Sequence, residues 1–554
     1  MLPRKKKSLL LTLSLLPVII VIIIFFNYGH KATSQDAAPA GGNIICVVNA
    51  SRELGVVERG LFGTNSEWFN NGGGLVSNQG VLDTTLINLA KQQGISLVRF
   101  PGGTLSDFYH WQDGIGPPSS RPVRPHYTDP ASSANVFGTP ELIKFCQAVG
   151  AQPLITVNAG TGTAAEAAGW VDYLNGATNA RRTSNGLPQP LNVKLWEVGN
   201  ELYLNGSDAE KKITLPPDVY AERFLSYASA MRAVDPSISL MAIGVAGSYN
   251  IPFGPYPDWN KTVLARAAAK IDYIAVHNAY FPVIINEKNP VAQDVYQAIW
   301  AAPEAVSRDL TVLSKLISRY EKGRAINIAI TEWGPFYSIS DPAWFDHVKT
   351  LGSAVYVARL MQVLMSHPRV KVANYFKFTD QTFMSWVSSE HQPKVPYYVI
   401  ELFAKHFGSR LIETSINSPL YSSKKMGMAN AEKNIPQLTA VASLNQNADK
   451  LFVNIVNRSW DKTHNIALQI QGFTANTNAI IWEISGPDAK THNGNDSPDW
   501  WPVAPTDPPP KPAGQAPVSI IKKQHTLADP LAILPHSIVT VEIARQRKAE
   551  GKIL

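Results

Sequence analysis

The sequence predicts an α/β protein: a (β/α)8 barrel of the TIM type followed by a C-terminal antiparallel β-sandwich domain. Three observations predict it. At 554 residues the chain is longer than one ordinary domain, so a large unit with a smaller companion is expected. From about Leu61 onward, short β-branched or apolar runs alternate with amphipathic helical stretches, the pattern of repeated β/α units around a parallel sheet. After about Leu402 that pattern gives way to strand-like runs with turn residues between them.

Eight runs supply the barrel strands: Leu61 to Asn65, Ser96 to Phe100, Pro153 to Asn158, Val193 to Glu197, Ser239 to Gly244, Ile271 to Val276, Asn327 to Thr331 and Val372 to Phe378. Helices are expected between them at Thr84 to Gln93, Pro140 to Val149, Asp218 to Val234, Glu304 to Lys322 and Trp344 to Met365, several bounded by Gly, Asp or Pro. The later strands are expected at Gln437 to Ser443, Leu451 to Asn457, Asn465 to Ile470, Ala479 to Ile484, Ser519 to Lys522 and Ser537 to Ile543, with a Pro-rich excursion from Pro498 to Pro517. Ile44 to Val57 is strand-like too and is expected to join the sandwich. The expected division is 1–42 signal or anchor segment and linker, 43–57 joining strand, 58–402 barrel and 403–554 sandwich.

The first segment stands apart from the fold. Arg4 to Lys7 followed by Leu9 to Phe26 has the basic flank and apolar run of an export signal. As a helix the run reaches about 27 Å at about 1.5 Å per residue, close to the thickness of a bilayer core. It reads either as an uncleaved membrane anchor with the basic end in the cytoplasm, or as a signal cleaved near Asp36 to Ala40. Either places the rest of the chain outside the cytoplasm. The formal charge of +7 owes part of its excess to Arg4 to Lys7, and no comparable basic run recurs, which argues against a nucleic-acid partner. Cys46 and Cys146 are the only cysteines; Cys146 lies in an apolar helical pattern and reads as a buried thiol. No His/Cys cluster has zinc spacing and no EF-hand loop occurs, so neither a metal nor another cofactor is expected.

Reactive groups of such barrels gather where the strands end. The fourth run closes as Glu197-Val198-Gly199-Asn200-Glu201, and the seventh as Thr331-Glu332-Trp333-Gly334, which sets two acids on facing strands. Cleavage of a glycosidic bond needs a proton donor on the leaving oxygen and a carboxylate on the far side of the sugar carbon. Two such acids suit that chemistry.

Around them stand Arg99-Phe100-Pro101-Gly102-Gly103, Trp111 to Pro117, Phe137-Gly138-Thr139, Val157 to Thr163 and the late loop Ser485-Gly486-Pro487-Asp488. With these motifs the chain resembles glycoside hydrolase family 51, within the superfamily whose catalytic glutamates lie on barrel strands four and seven. The resemblance implies a retaining hydrolase acting on a carbohydrate, most often an exo-acting α-L-arabinofuranosidase, with Glu201 as acid/base and Glu332 as nucleophile. It further implies that Asn200 holds the hydroxyl beside the reacting carbon, that Glu67 accepts from hydroxyls at the closed end of the pocket, and that Arg99 organises the nucleophile. Gly103 would let backbone approach the sugar, His277 and Tyr280 would line the site, and Trp333 is the favoured aromatic face. Asn158 reads equally as a pocket residue or as the cap of the next turn. The sixth strand end, His277-Asn278-Ala279-Tyr280, departs from the family's His-X-Tyr arrangement; the eighth offers Asn374, Lys377 and Asp380 to Gln381 where the family's usual Gln-containing run is expected. An endo-β-glucanase or other β-glycosidase on the same barrel is the competing enzyme, and a membrane-tethered carbohydrate-binding protein the competing class. Family members often oligomerise, so a homo-oligomer is an expectation by analogy.

Overall fold

The structure is a computed structural model that describes residues 44–546, apart from 125–132, 206–207, 246–255, 278–282, 285–289, 322, 338–345, 381–383, 389 and 494–516. The expected anchor segment and Tyr280 therefore lie outside the described residues. Among the described residues no helix is long and apolar enough to cross a membrane.

The first strand, β1 (Ile44–Val56), precedes eight parallel strands that close into a barrel: β2 (Gly63–Asn65), β3 (Leu97–Phe100), β4 (Gln152–Val157), β5 (Leu195–Val198), β6 (Ser239–Ile243), β7 (Tyr273–Val276), β8 (Asn327–Trp333) and β9 (Val370–Tyr375). Alternation along each strand decides what fills the interior. Leu97, Leu154, Met241, Ala275, Ala329 and Val372 form one apolar layer inside. Their neighbours Val98, Ile155, Trp196, Ala242, Ile274 and Ile330 belong to the larger cluster shared with the surrounding helices. Two residues on from that inner layer, at the carboxyl end, the interior turns polar with Arg99, Thr156, Glu197 and Thr331, all fully buried.

Helix ends follow their local chemistry. The Asp83 side chain accepts from Leu86 N and Gly94 ends that helix left-handed; Thr163 caps the helix Ala164–Asn175 in the same way. One expectation fails. The helix placed from Glu304 runs instead from Ala292 to Tyr320, straight through Pro303. The preceding turns carry Val295, Tyr296, Ile299 and Trp300, all fully buried, and that apolar face outweighs the local cost of the proline.

Beyond the helix Val395–Lys405, eight strands of three or more residues follow among the described residues: β10 (Arg410–Ile416), β11 (Leu438–Leu444), β12 (Lys450–Asn457), β13 (His464–Gln471), β14 (Ala475–Ile484), β15 (Ile521–Thr526), β16 (Leu531–Ile533) and β17 (Ile538–Arg545). With β1 they form one ladder of order β15-β14-β17-β12-β11-β10-β1-β13-β16. Its pairs are antiparallel except β1 with β13. It packs as a sandwich does, since Ile466 and Ile533 from one end share an apolar cluster with Val453, Ile481 and Val541 from the other. β10 and β16 escaped the sequence pattern, β10 because it follows a helix with little turn signal.

The outer face of this sheet docks on the barrel through the helix Leu351–Ser366, where Gln362 Nε2 donates to Asn454 Oδ1 at 2.8 Å and Asn454 Nδ2 to Thr540 Oγ1 at 3.0 Å. Glu304 joins the same junction, receiving Arg359 and Arg458. Both cysteines are buried free thiols.

Candidate active site

The site is built around one guanidinium. Arg99, inward at the end of β3, donates through Nε to Glu197 at 2.6 Å, through Nη1 to Asn65 at 3.0 Å and Glu332 at 2.8 Å, and through Nη2 to Asn200 at 2.8 Å. Planar, permanently charged and wholly buried, it fixes groups from β2, β5 and β8 in one plane. Glu197 is its lower counter-ion and also accepts from Thr156 and Thr331, both at 2.8 Å.

Glu332 reaches the mouth by an irregularity. Ala329 and Thr331 point inward, so strict alternation would send Glu332 to the helices. The register of β8 against β9 slips between Ile330 and Trp333, and Glu332 turns into the mouth. Its Oε1 accepts from Arg99 and from Gly103 N at 3.1 Å, and its Oε2 faces His277 Nδ1 at 3.8 Å. Gly103 has φ 73°, and a Cβ there would fall 3.0 Å from Glu67 Oε1, so only glycine lets the N–H reach Glu332.

Glu201 stands past the end of β5 with a left-handed backbone, φ 46°. Such a conformation in a side-chain-bearing residue costs about 1–3 kcal/mol and persists only where neighbours enforce it. Asp107 enforces it. Its Oδ2 accepts from Asn200 N at 2.7 Å, while Oδ1 accepts from Ala159 N and Gly160 N at 2.8 and 2.9 Å, tying the loops after β4 and β5 together. Burial pushes the Asp107 carboxyl up to about 7 against the pull of those three N–H groups.

The two acids sit close to one histidine. His277 Nδ1 lies 2.8 Å from Glu201 Oε1, off the direction of a ring N–H, and neither ring nitrogen makes a hydrogen bond among the described residues. Burial lowers its pKa, so the ring is neutral near pH 7. Glu201, Glu332 and His277 offer polar atoms all within 4.8 Å of one another. That spacing could grip a cation, but the Arg99 guanidinium against Glu332 opposes one. Burial, then the charge of Glu210, pushes Glu201 up to about 8. Burial also raises Glu332, while the Arg99 guanidinium holds it back. The Arg99 guanidinium favours an ionised Glu332, and among the described residues no guanidinium is bonded to Glu201.

The remaining anticipated residues divide. Asn200 Oδ1 is taken by Arg99, and its Nδ2 has no partner among the described residues, a buried donor left for a ligand. Glu67 is buried beside the mouth and ion-paired with Lys377. Asn158 does not offer itself to the pocket: its amide donates to Tyr109 O and Thr161 Oγ1, and its oxygen accepts from Thr161 N and Gly162 N, so the turn cap is its role. Trp333 presents no face to a sugar either. It is fully buried, edge-on to Tyr375 at 5.1 Å, and Tyr375 in turn stacks on Trp386 at 4.3 Å, so the ring supports β8 from behind. Glu197 and Asp107 were not singled out from the sequence. The signal for Glu197 was an acid inside an apolar strand, four residues before Glu201; Asp107 follows the Gly102-Gly103 turn with no strand to place it.

Two family models match the chain: the α-L-arabinofuranosidase 1 domain over residues 90–274 and the α-L-arabinofuranosidase C-terminal domain over residues 331–509. The chain is 25% identical over 423 residues to an intracellular exo-α-(1→5)-L-arabinofuranosidase of Bifidobacterium longum, a match covering 70% of this chain and 72% of that one. The fold superimposes on a thermostable family 51 α-L-arabinofuranosidase from Thermotoga petrophila with a TM-score of 0.75, 25% identity, and coverage of 90% of this chain and 100% of that one. The chain is a glycoside hydrolase similar to the family 51 α-L-arabinofuranosidases. The chain is also 31% identical to α-L-arabinofuranosidase C of Emericella nidulans over 277 residues, 47% of its own length and 52% of that relative's. The chain thus spans about half the length of that fungal relative.

Proposed function

We propose that the chain is a retaining, exo-acting α-L-arabinofuranosidase that releases arabinofuranosyl groups from plant-type oligo- or polysaccharides, with Glu201 as acid/base and Glu332 as nucleophile. The observation that carries the retaining route is the spacing of the two carboxylates, whose ligand-facing oxygens lie within 4.8 Å. Direct attack requires carboxyl groups about 5–5.5 Å apart, whereas an inverting enzyme leaves about 6.5–9.5 Å for a water. In the first step Glu332 Oε2 bonds to the anomeric carbon as the bond to the leaving oxygen breaks, and Glu201 gives that oxygen its proton. Water then attacks the same carbon, passes a proton to Glu201, and Glu332 departs as carboxylate. Arg99 steadies Glu332 in its anionic form, and the free Nδ2 of Asn200 suits the sugar hydroxyl beside the reacting carbon. The choice of sugar rests on the similarity to named arabinofuranosidases.

Trapping with an arabinofuranose-configured mechanism-based label, followed by peptide mapping, tests this reading. Label on Glu332 supports it; label on any other residue overturns the assignment. A panel of aryl glycosides names the sugar, and faster cleavage of β-glucosides than of α-L-arabinofuranosides would favour a β-glycosidase instead. We further propose that the enzyme works outside the cytoplasm, on the strength of Arg4 to Lys7 and the apolar run after it. Cell fractionation decides this, and activity confined to the cytoplasmic fraction removes it.

A further inference from the structure

A second buried charge cluster closes the barrel mouth beside the Glu201–Glu332 pair. Lys377, just past the end of β9, pairs its Nζ with Glu67 and, at 2.6 Å, with Asp380. The three side chains are 5%, 9% and 3% exposed, and the rings of Phe69 and Phe376 flank the ammonium at 5.2 and 5.3 Å. A buried ion triad contributes little to stability compared with a well-packed apolar replacement, so stability alone gives no reason for this one. Its position gives a reason. Lys377 holds Glu67 through Oε2, while Glu67 Oε1 faces Gly103, whose N–H is bonded to Glu332 Oε1. One backbone unit therefore separates the cluster from the nucleophile, and a sugar with its anomeric carbon at Glu332 extends across Gly103 towards Glu67 and Lys377.

We propose that Lys377 is a specificity-determining residue: its ammonium, fixed by Glu67 and Asp380, donates to the sugar hydroxyl farthest from the anomeric carbon, and the surplus negative charge around it turns away sugars that carry a carboxylate. An ammonium has three N–H groups, and two suffice for its carboxylate partners. Two carboxylates against one ammonium leave a net negative corner once Glu67 is ionised. Burial pushes its carboxyl up to about 7, so the corner is most negative above that pH, while Glu332 is balanced by Arg99. The favoured ligand is a neutral sugar with a hydroxyl at that corner. This rests on the reading of Glu332 as the nucleophile, which sets the direction of the ring.

The test compares kcat/KM of the full chain with Lys377→Met and Lys377→Gln, on the accepted sugar joined to a good leaving group. The same measurements are made on analogues lacking each hydroxyl in turn and on the uronic counterpart. On the parent sugar Lys377→Met loses about 10- to 100-fold, the size expected for one hydrogen bond to a charged group, and loses almost nothing on the analogue without the remote hydroxyl. Lys377→Gln, which keeps a donor, recovers most of the parent activity and carries the comparison if the methionine variant does not fold. An equal loss on every analogue overturns the contact, and a wild type that prefers the uronic sugar overturns the charge selection. A label on a residue other than Glu332, or a wild type inert to arabinofuranosides, breaks the proposed function instead. The analogue series is then run on whichever sugar is cleaved, so the two failures are told apart.

Discussion

Glu201 and Glu304 are the same residue type, both taken largely out of water, and burial pushes both carboxyls up. They end on opposite sides of neutrality. At the junction of barrel and sheet, Glu304 receives Arg359 Nε at 3.0 Å, Arg359 Nη2 at 2.9 Å and Arg458 Nη1 at 2.9 Å, and the two guanidiniums outweigh burial and hold it at about 2. At the barrel mouth Glu201 has no guanidinium bonded to it among the described residues, faces a neutral histidine and feels Glu210 and Glu197, so burial and these charges raise it to about 8. What surrounds a buried acid, more than burial itself, decides whether it fastens domains or carries a proton. Among the described residues the mouth keeps atoms with no hydrogen-bond partner, Asn200 Nδ2 and both ring nitrogens of His277 included, where Glu304 has a donor on each oxygen.

The contrast can be broken most sharply at Glu201. Glu201→Ala should lower kcat/KM by about 10²- to 10⁴-fold on substrates with poor leaving groups, the usual range for a general acid, and by much less on activated aryl glycosides. Azide should restore turnover on the activated ones. If both substrate classes suffer equally and azide does nothing, Glu201 is not the proton carrier. At the other carboxylate, Glu304→Ala leaves Arg458 buried with its charge unpaired and should cost about 3–5 kcal/mol in urea unfolding. Its kcat at a temperature where it stays folded should match the parent, and a large fall in kcat would erase the division of labour.

A gentler change addresses Asp107. Asp107→Asn keeps one acceptor but sets an amide against the loop N–H groups, so Glu201 should lose its fixed position. A fall of about 10-fold in kcat is expected, since one compromised hydrogen bond to a charged group is worth about 1.5–3 kcal/mol. The fall should be steeper for poor leaving groups, with KM little changed. A uniform loss across leaving groups, or a rise in KM alone, would detach Asp107 from the acid.

The smallest effects are in pH dependence, and the two glutamates should differ in sign. In its proposed role Glu201 must be protonated to act, so kcat/KM should fall as pH rises through about 8. Glu304 has a folded pKa of about 2, below the ordinary value near 4.3 of an unfolded glutamate. Its stabilisation is therefore complete above the unfolded value and is lost as pH falls towards about 2. The stability gap between parent and Glu304→Ala should shrink between neutral pH and pH about 3 in urea titrations. A gap that stays constant would show that Glu304 acts through packing.

Much of this was legible beforehand. All eight barrel strands, Glu201 after β5, Glu332 at the end of β8, and Arg99 follow from period, strand ends and motif context, because a buried parallel strand is mostly apolar until it nears its rim. What resisted was set by contacts between distant segments. Asn158 has the same sequence surroundings whether it caps a turn or meets a sugar, and only the positions of Tyr109 and Thr161 decide. Trp333 sits beside Glu332 in sequence, yet the register slip that brings Glu332 inward leaves the neighbouring ring packed behind the strand. Asp107 is an acid on a short loop after β3, and nothing local reveals that it grips the loops after β4 and β5.

The partners of β1 give the chain an unusual order of assembly. Cys46 lies opposite Ile416 on one side and Leu468 on the other, so the first strand finds its neighbours only after the whole barrel has been synthesised. Until then an apolar edge with unpaired backbone groups waits in the open, the kind of segment that chaperones hold and that pairs wrongly when left alone. Truncation after the barrel would therefore strand β1, and the barrel should be harder to produce by itself when residues 44–56 are left attached than when they are removed.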